Sequence, residues 1–182
     1  AEAAASSLPS AAGAAGTASD IGELRAFEIP INELDFEKEI GRGNFGVVYR
    51  GTWRNTDVAI KQLLIKNAAA DPAKFKEELR AFQDEAAIMV NLRPHTNVVL
   101  LLGITPPPEL CIVAEFCEGG SLHSRLHDAS ETISAAQKVK VCRGIASGMG
   151  HLHHEGIVHR DLAARNVLLD ARKRAKVADF GL

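Results

Sequence analysis

No sign of charge dominates this sequence. Its 182 residues carry 21 Lys and Arg against 23 Asp and Glu, a formal net charge of -2. That balance provides no polybasic face, so neither nucleic acid nor an anionic membrane surface is indicated as a partner. Cysteine is sparse: Cys111, Cys117 and Cys142 are an odd number without the paired spacing of a zinc site or a disulfide framework. They read as free thiols in a reducing compartment, with the cytoplasm as the expected location. Long apolar runs are missing too. None approaches the roughly 20 residues of a membrane span, and no basic-then-apolar start marks a secretory signal. His151, His153 and His154 lie close together, but no cysteine or carboxylate cluster accompanies them, so they read as surface or packing histidines.

What is present is enough to fold. With 46% hydrophobic and 24% charged residues, the chain can bury a sizeable core, and disorder over its whole length is excluded. Residues 1 to 30 are read as a flexible leader, because the first 20 or so are mostly Ala, Ser and Gly without apolar period. From Ile31 to Ile40 the apolar residues Leu34, Phe36 and Ile40 alternate with acids, which suits a first strand ending at Gly41. Asp71 followed by Pro72 reads as an N-cap and first turn. Behind it, Phe75, Leu79, Phe82, Ala86 and Met89 recur at intervals of a helical stripe. Pro106, Pro107 and Pro108 force a turn before a strand from Leu110 to Ala114. A short helix is expected from Ser121 to His127, and a longer one from Ser134 to about His154 with a stripe of Val139, Cys142, Ile145, Met149 and Leu152. Arg172, Lys173 and Arg174 form a basic turn between the apolar runs 167–169 and 175–178, as in a hairpin.

Four short motifs carry chemistry. Gly41, Gly43 and Gly46 with Val48 read G-x-G-x-x-G-x-V. Glycines there let the backbone turn tightly and bring its N–H groups to phosphate oxygens, where a Cβ would intrude. Read alone, they could equally be hairpin-turn residues. A dinucleotide-binding unit uses the same spacing but needs a helix directly after Gly46. Here Val-Val-Tyr-Arg-Gly-Thr-Trp follows, a β-rich run, with Asn55 and Thr56 as the turn to a second strand. That strand ends in Val58, Ala59, Ile60 and Lys61, and the period of two sets Ala59 and Lys61 on one face. An ammonium in a closed cleft needs a partner, and the helix that follows offers Glu77, Glu78 and Glu85. The third motif is His-Arg-Asp-Leu-Ala-Ala-Arg-Asn from His159 to Asn166, a polar loop between apolar runs. In it Asp161 can accept a hydroxyl proton and Asn166 can offer a carbonyl oxygen to a hard cation. Asp179, Phe180 and Gly181 form the fourth, D-F-G.

Taken together and in this order, the motifs resemble those of eukaryotic protein kinases. The loop at 159–166 is similar to that of tyrosine kinases and tyrosine-kinase-like members, and Gly51-Thr52-Trp53-Arg54-Asn55-Thr56-Asp57 resembles the tyrosine-kinase-like group. The resemblance covers about residues 34 to 182. It implies an α+β, bilobal fold with a five-stranded antiparallel sheet and one helix at about 34–115. A hinge at 115–120 and the first part of a helical lobe at 121–182 would follow. It implies an ATP:protein phosphotransferase that uses ATP and Mg²⁺ and acts on a protein substrate. Ile40, Gly41, Arg42, Gly43, Asn44, Phe45, Gly46, Val48, Ala59, Lys61, Ala114, Glu115, Cys117 and Leu168 would surround the nucleotide. Lys61 would hold its phosphates and be held by Glu85; Asn166 and Asp179 would bind the metal; Asp161 would be the catalytic base. Serine/threonine kinases carry a lysine two residues beyond that Asp, where Ala163 stands, and Arg165 would supply the charge instead. The acceptor, Ser/Thr or Tyr, therefore stays open.

Two apolar stacks are implied as well: Val48, Ala59 and Leu168 around the base, and Met89, Leu101, His159 and Phe180 joining the lobes. Ala114 stands where the back wall of the nucleotide pocket is expected, and Cys117 reads as an inert thiol. The activation segment and A-P-E motif do not follow D-F-G within these 182 residues. The chain is thus expected to be a fragment of a longer kinase, with doubtful activity alone. The alternative class is a nucleotide-binding pseudokinase or scaffold.

Overall fold

Strand β3, Thr56–Leu63, shows how the sheet is built: Val58 and Ile60 are fully buried while Ala59 and Lys61 face the opposite side. The computed structural model describes residues 24–43, 46–63, 72–128, 130 and 132–180. β1, Leu34–Gly43, and β2, Gly46–Trp53, precede β3; β4, Leu101–Ile104, and β5, Cys111–Glu115, complete an antiparallel sheet of order β1-β2-β3-β5-β4. β2 turns into β3 through Arg54 and Asn55, both at positive φ, so the two-residue turn sits one position earlier than the expected Asn55 and Thr56.

Helix α1, Pro72–Asn91, crosses the sheet. Phe82 and Ala86 are buried in one cluster with Leu101, Ile104, Leu110 and Ile112, and Leu79 and Met89 pack at its edge. This is the expected stripe; Asp71 and the side chain of Phe75 lie outside the described residues. On the other face, Cys111 and Val113 of β5 join Leu34, Val58 and Ile60 in a second cluster. One helix against one face, with the alternation of β5 dividing the two cores, is the arrangement anticipated for the first lobe.

The start of the chain departs from expectation. Residues 24–30 were assigned to the leader, yet Leu24 is 7% exposed and Ile29 3%. The Ile29 amide donates to the Ile104 carbonyl at 2.7 Å, and the Ile104 amide to the Phe27 carbonyl at 2.9 Å. Glu28 forms a parallel bridge with Ile104, and Leu24 and Phe27 belong to the cluster that holds Phe82 and Ala86. The segment turns through Leu24 to Phe27 and meets the β4 edge through the single bridge at Glu28, and its apolar residues close the core under α1.

Beyond the sheet, α2, Leu122–His127, is capped by Ser121, and α3, Ala135–His154, opens on a capping box of Ser134 and Gln137. The buried residues of α3 are Val141, Gly144, Gly148 and Leu152, with Ile145 and Met149 partly buried; Val139 and Cys142 from the expected stripe are exposed. The helix turns Gly144 and Gly148 inward and leaves Gly150 exposed. A Cβ at Gly148 would lie 2.4 Å from the Asn97 carbonyl oxygen and 3.0 Å from Val177 Cγ2, so close approach replaces side-chain filling there. The partner is a hairpin of β6, Val167–Leu169, and β7, Ala175–Val177. Its turn is organised by Asp170, which accepts from the amides of Arg172 and Arg174 and pairs with the Arg174 guanidinium at 2.7 Å. No helix among the described residues is long and apolar enough to cross a membrane.

Candidate active site

The sheet and the β6–β7 hairpin enclose a cavity of about 470 Å³. β1 and β2 give it Ile40, Gly41 and Val48, β3 gives Ala59 and Lys61, and α1 gives Glu85 and Met89. Ala114, Glu115, Phe116, Cys117 and Gly120 line it from the end of β5 onward, and Arg165, Leu168, Ala178, Asp179 and Phe180 close it from the other side.

At its polar end Lys61 Nζ lies 2.9 Å from Glu85 Oε1 and 3.3 Å from Asp179 Oδ1. The Lys61 side chain is 18% exposed and that of Glu85 10%, whereas Asp179 remains 51% exposed. Burial works against the Lys61 ammonium, but Asp179 and Glu85 outweigh it and hold its pKa above the ordinary lysine value. Three segments thus meet on one cation. Of the three helix acids left open by the sequence, Glu85 is the partner; Glu77 is exposed, and the Glu78 side chain lies outside the described residues.

The loop after α3 arranges a second carboxylate. Arg165 Nη2 donates to both oxygens of Asp161 at 2.7 and 2.9 Å, and Asn166 Nδ2 donates to Asp161 Oδ2 at 2.9 Å and to its backbone carbonyl at 2.8 Å. Arg165 first, then Asn166, holds the Asp161 carboxyl below the usual aspartate range. Because the Asn166 amide nitrogen is spent on Asp161, its carbonyl oxygen is the atom left for another partner. Together with the open carboxylate of Asp179 it makes an oxygen-only donor set, which fits a hard cation such as Mg²⁺.

Apolar contacts frame these groups. His159 and Phe180 are both buried and meet edge to face with ring centroids 6.4 Å apart. Met89 packs against the cluster of Phe180 and also against that of Leu101. Val48, Ala59 and Leu168 all face the cavity. Cys117 is buried, and burial, with Glu115 adding, pushes its thiol up to about 12, which leaves it protonated and inert.

Several expected residues fall elsewhere. Arg42 is turned to Glu39, 2.7 Å away on the exposed strand, and does not line the cavity. Asn44 and Phe45 lie outside the described residues. Among the described residues, a Cβ at Gly46 would meet the Gln62 carbonyl oxygen at 2.3 Å, whereas one at Gly43 would meet nothing within 4 Å. One residue escaped the sequence reading altogether. Lys176, buried in β7, reaches Glu115 Oε1 at 2.7 Å. A lysine inside a short apolar strand is the same signal that singles out Lys61.

Fold and site together define an α+β architecture around one cavity with a polar end, and comparison with known proteins gives its family. Residues 34–182 match the family model described as protein tyrosine and serine/threonine kinase, and the chain belongs to that family. It is 44% identical over 158 residues to a protein of Acanthamoeba polyphaga mimivirus described as a serine/threonine-protein kinase/receptor, covering 86% of this chain and 9% of the relative. It is 40% identical over 156 residues to a Dictyostelium discoideum serine/threonine-protein kinase, covering 85% and 16%. It is 37% identical over 156 residues to the human serine/threonine-protein kinase A-Raf, covering 86% and 24%. The chain therefore spans less than a quarter of the length of each of these relatives.

Proposed function

We propose that this chain supplies the nucleotide site and catalytic loop of a protein kinase that moves the γ-phosphoryl group of ATP to a protein hydroxyl. The observation that carries the reading is Lys61, which is bonded at once to Glu85 of α1 and Asp179 beyond β7 at one end of an apolar cavity. Its ammonium is held charged and fixed, ready for α- and β-phosphate oxygens. Ala59, Val48 and Leu168 present flat apolar surface to the base. Asp161, kept ionised by Arg165, orients the acceptor hydroxyl and takes its proton. Asp179 and the Asn166 carbonyl oxygen would hold Mg²⁺, which supplies neutralisation of charge on the transferring phosphate.

The acceptor we assign is serine or threonine. The named kinases to which the chain is similar are serine/threonine kinases, and the clamp of Arg165 on Asp161 does not by itself select tyrosine. Incubating the purified protein with Mg·ATP and mixed serine, threonine and tyrosine peptides tests the reading. Phosphoserine or phosphothreonine that disappears in Lys61→Met supports it. Mg·ATP binding without turnover selects a pseudokinase, and failure to bind nucleotide refutes the site.

A further inference from the structure

We propose that the buried pair Lys176–Glu115 is a positioning strut, one that ties the segment seating the nucleotide base to the strand presenting Asp179. The inference deepens the kinase reading and rests on it. Glu115 ends β5 where the chain passes along the cavity, yet its carboxylate is engaged elsewhere: Oε1 accepts from Lys176 Nζ at 2.7 Å and from the Leu100 amide at 2.8 Å. One oxygen therefore gathers the end of β5, the approach to β4, and β7. Lys176 is 7% exposed, and its ammonium is bonded to that carboxylate.

What lies beyond Lys176 explains why the strut matters. β7 gives way within two residues to Asp179, which sits at φ 53, a conformation that L residues adopt only when their surroundings hold them. The strand leading to it is pinned on three sides. Val177 exchanges hydrogen bonds with Asn97 and Val99, the Ala178 amide donates to the Asn166 carbonyl at 2.9 Å, and Lys176 is fixed by Glu115. The first two anchors are backbone contacts within the lower part of the molecule. The Lys176 side chain ties this strand to the end of β5 by an ion pair, beside the apolar packing of Ala178 with Ala114 and Cys117, so a change in the base seat reaches the Asp179 carboxylate through it.

A merely structural pair would contribute to stability and leave the response to metal unchanged, and this separates the two roles. ADP affinity is measured by calorimetry with Mg²⁺ and with chelator present, in the wild type, Lys176→Met, Lys176→Arg and the double variant Glu115→Gln/Lys176→Met. The double variant removes both charges and keeps an oxygen for the Leu100 amide, so it carries the test should Lys176→Met fail to fold. The expected result is a loss of about tenfold in the tightening produced by Mg²⁺ in the Met variants, with Lys176→Arg retaining it. Hydrogen exchange without nucleotide is expected to speed up at Ala178 and Asp179 in the same variants. An unchanged Mg²⁺ response, or unchanged exchange at those amides, overturns the strut. A wild type that binds no ADP refutes the kinase reading instead, and the exchange measurement still decides the strut.

Discussion

Arg165 reaches back four residues and places one guanidinium nitrogen against both oxygens of Asp161, at 2.7 and 2.9 Å. This contact keeps the carboxylate ionised, held by a guanidinium that itself lines the cavity. Replacing Arg165 with Ala removes the largest cause of the lowered Asp161 pKa, so the carboxyl must titrate at higher pH. The acid limb of the kcat/KM profile is expected to move upward in pH. Asp161→Asn keeps the shape and removes the carboxylate, and on the proposed role as base it is expected to lower kcat by roughly 10²- to 10⁴-fold.

The Lys61–Glu85 contact predicts non-additivity. Lys61→Met removes the cation shared by Glu85 and Asp179, and on the proposed role at the phosphates it is expected to cost about 10²- to 10³-fold in kcat. Glu85→Gln frees the lysine to lean on Asp179 alone and costs less. Because both act through one contact, the double variant should be no slower than Lys61→Met. Additive losses in a double-mutant cycle would contradict the arrangement.

Residues 24–30 should count as part of the folded unit. Leu24→Ala leaves a void under α1 and is expected to destabilise by about 2 kcal/mol in urea unfolding. Gly103→Ala approaches the same segment from β4: its Cβ would lie 2.5 Å from Ile29 Cδ1 and 2.6 Å from the Phe27 carbonyl oxygen. Overpacking of that kind costs about 1–3 kcal/mol. An unchanged unfolding midpoint in both variants would return the segment to the leader.

A pH effect on stability follows from His95. Its ring stacks on His151 with centroids 4.7 Å apart and accepts the Asn97 amide at Nδ1, 3.1 Å away. Burial, then the neighbouring His151 and Lys176, holds its pKa below the ordinary 6.5. The unfolded chain therefore binds this proton more readily, and the His95 contribution, complete above 6.5, is lost as pH falls through the lowered value. Melting temperature is expected to drop on acidification through that window, and His95→Asn to flatten the slope.

Much of this was legible because the chemistry sits in short runs. Lys61, Asp161, Asn166 and Asp179 each belong to a local motif, and the stripe of α1 places Phe82 and Ala86, while Glu85 is singled out from Glu77 and Glu78 by the resemblance alone. Leu24 and Ile29 were not legible: they are isolated apolar residues beside an Ala-, Ser- and Gly-rich stretch, and only tertiary contact with β4 and α1 gives them a role. The inward face of α3 was misjudged for a related reason. Hydrophobic period points to Val139 and Cys142, while Gly144 and Gly148, invisible to any hydropathy signal, make the closest approach. Arg42 was carried into the site by motif position alone, and the nearer Glu39 took it.

Gly148 has an effect at a distance. It is buried on α3 and lines no part of the cavity, yet the backbone it approaches at Asn97 and the side chain it approaches at Val177 are those that steady the last turn into Asp179. A single added methyl at that position would wedge the helix away from the hairpin and tilt the Asp179 carboxylate without altering one group in the cleft, so a defect there can originate where no inspection of the cavity would look for it.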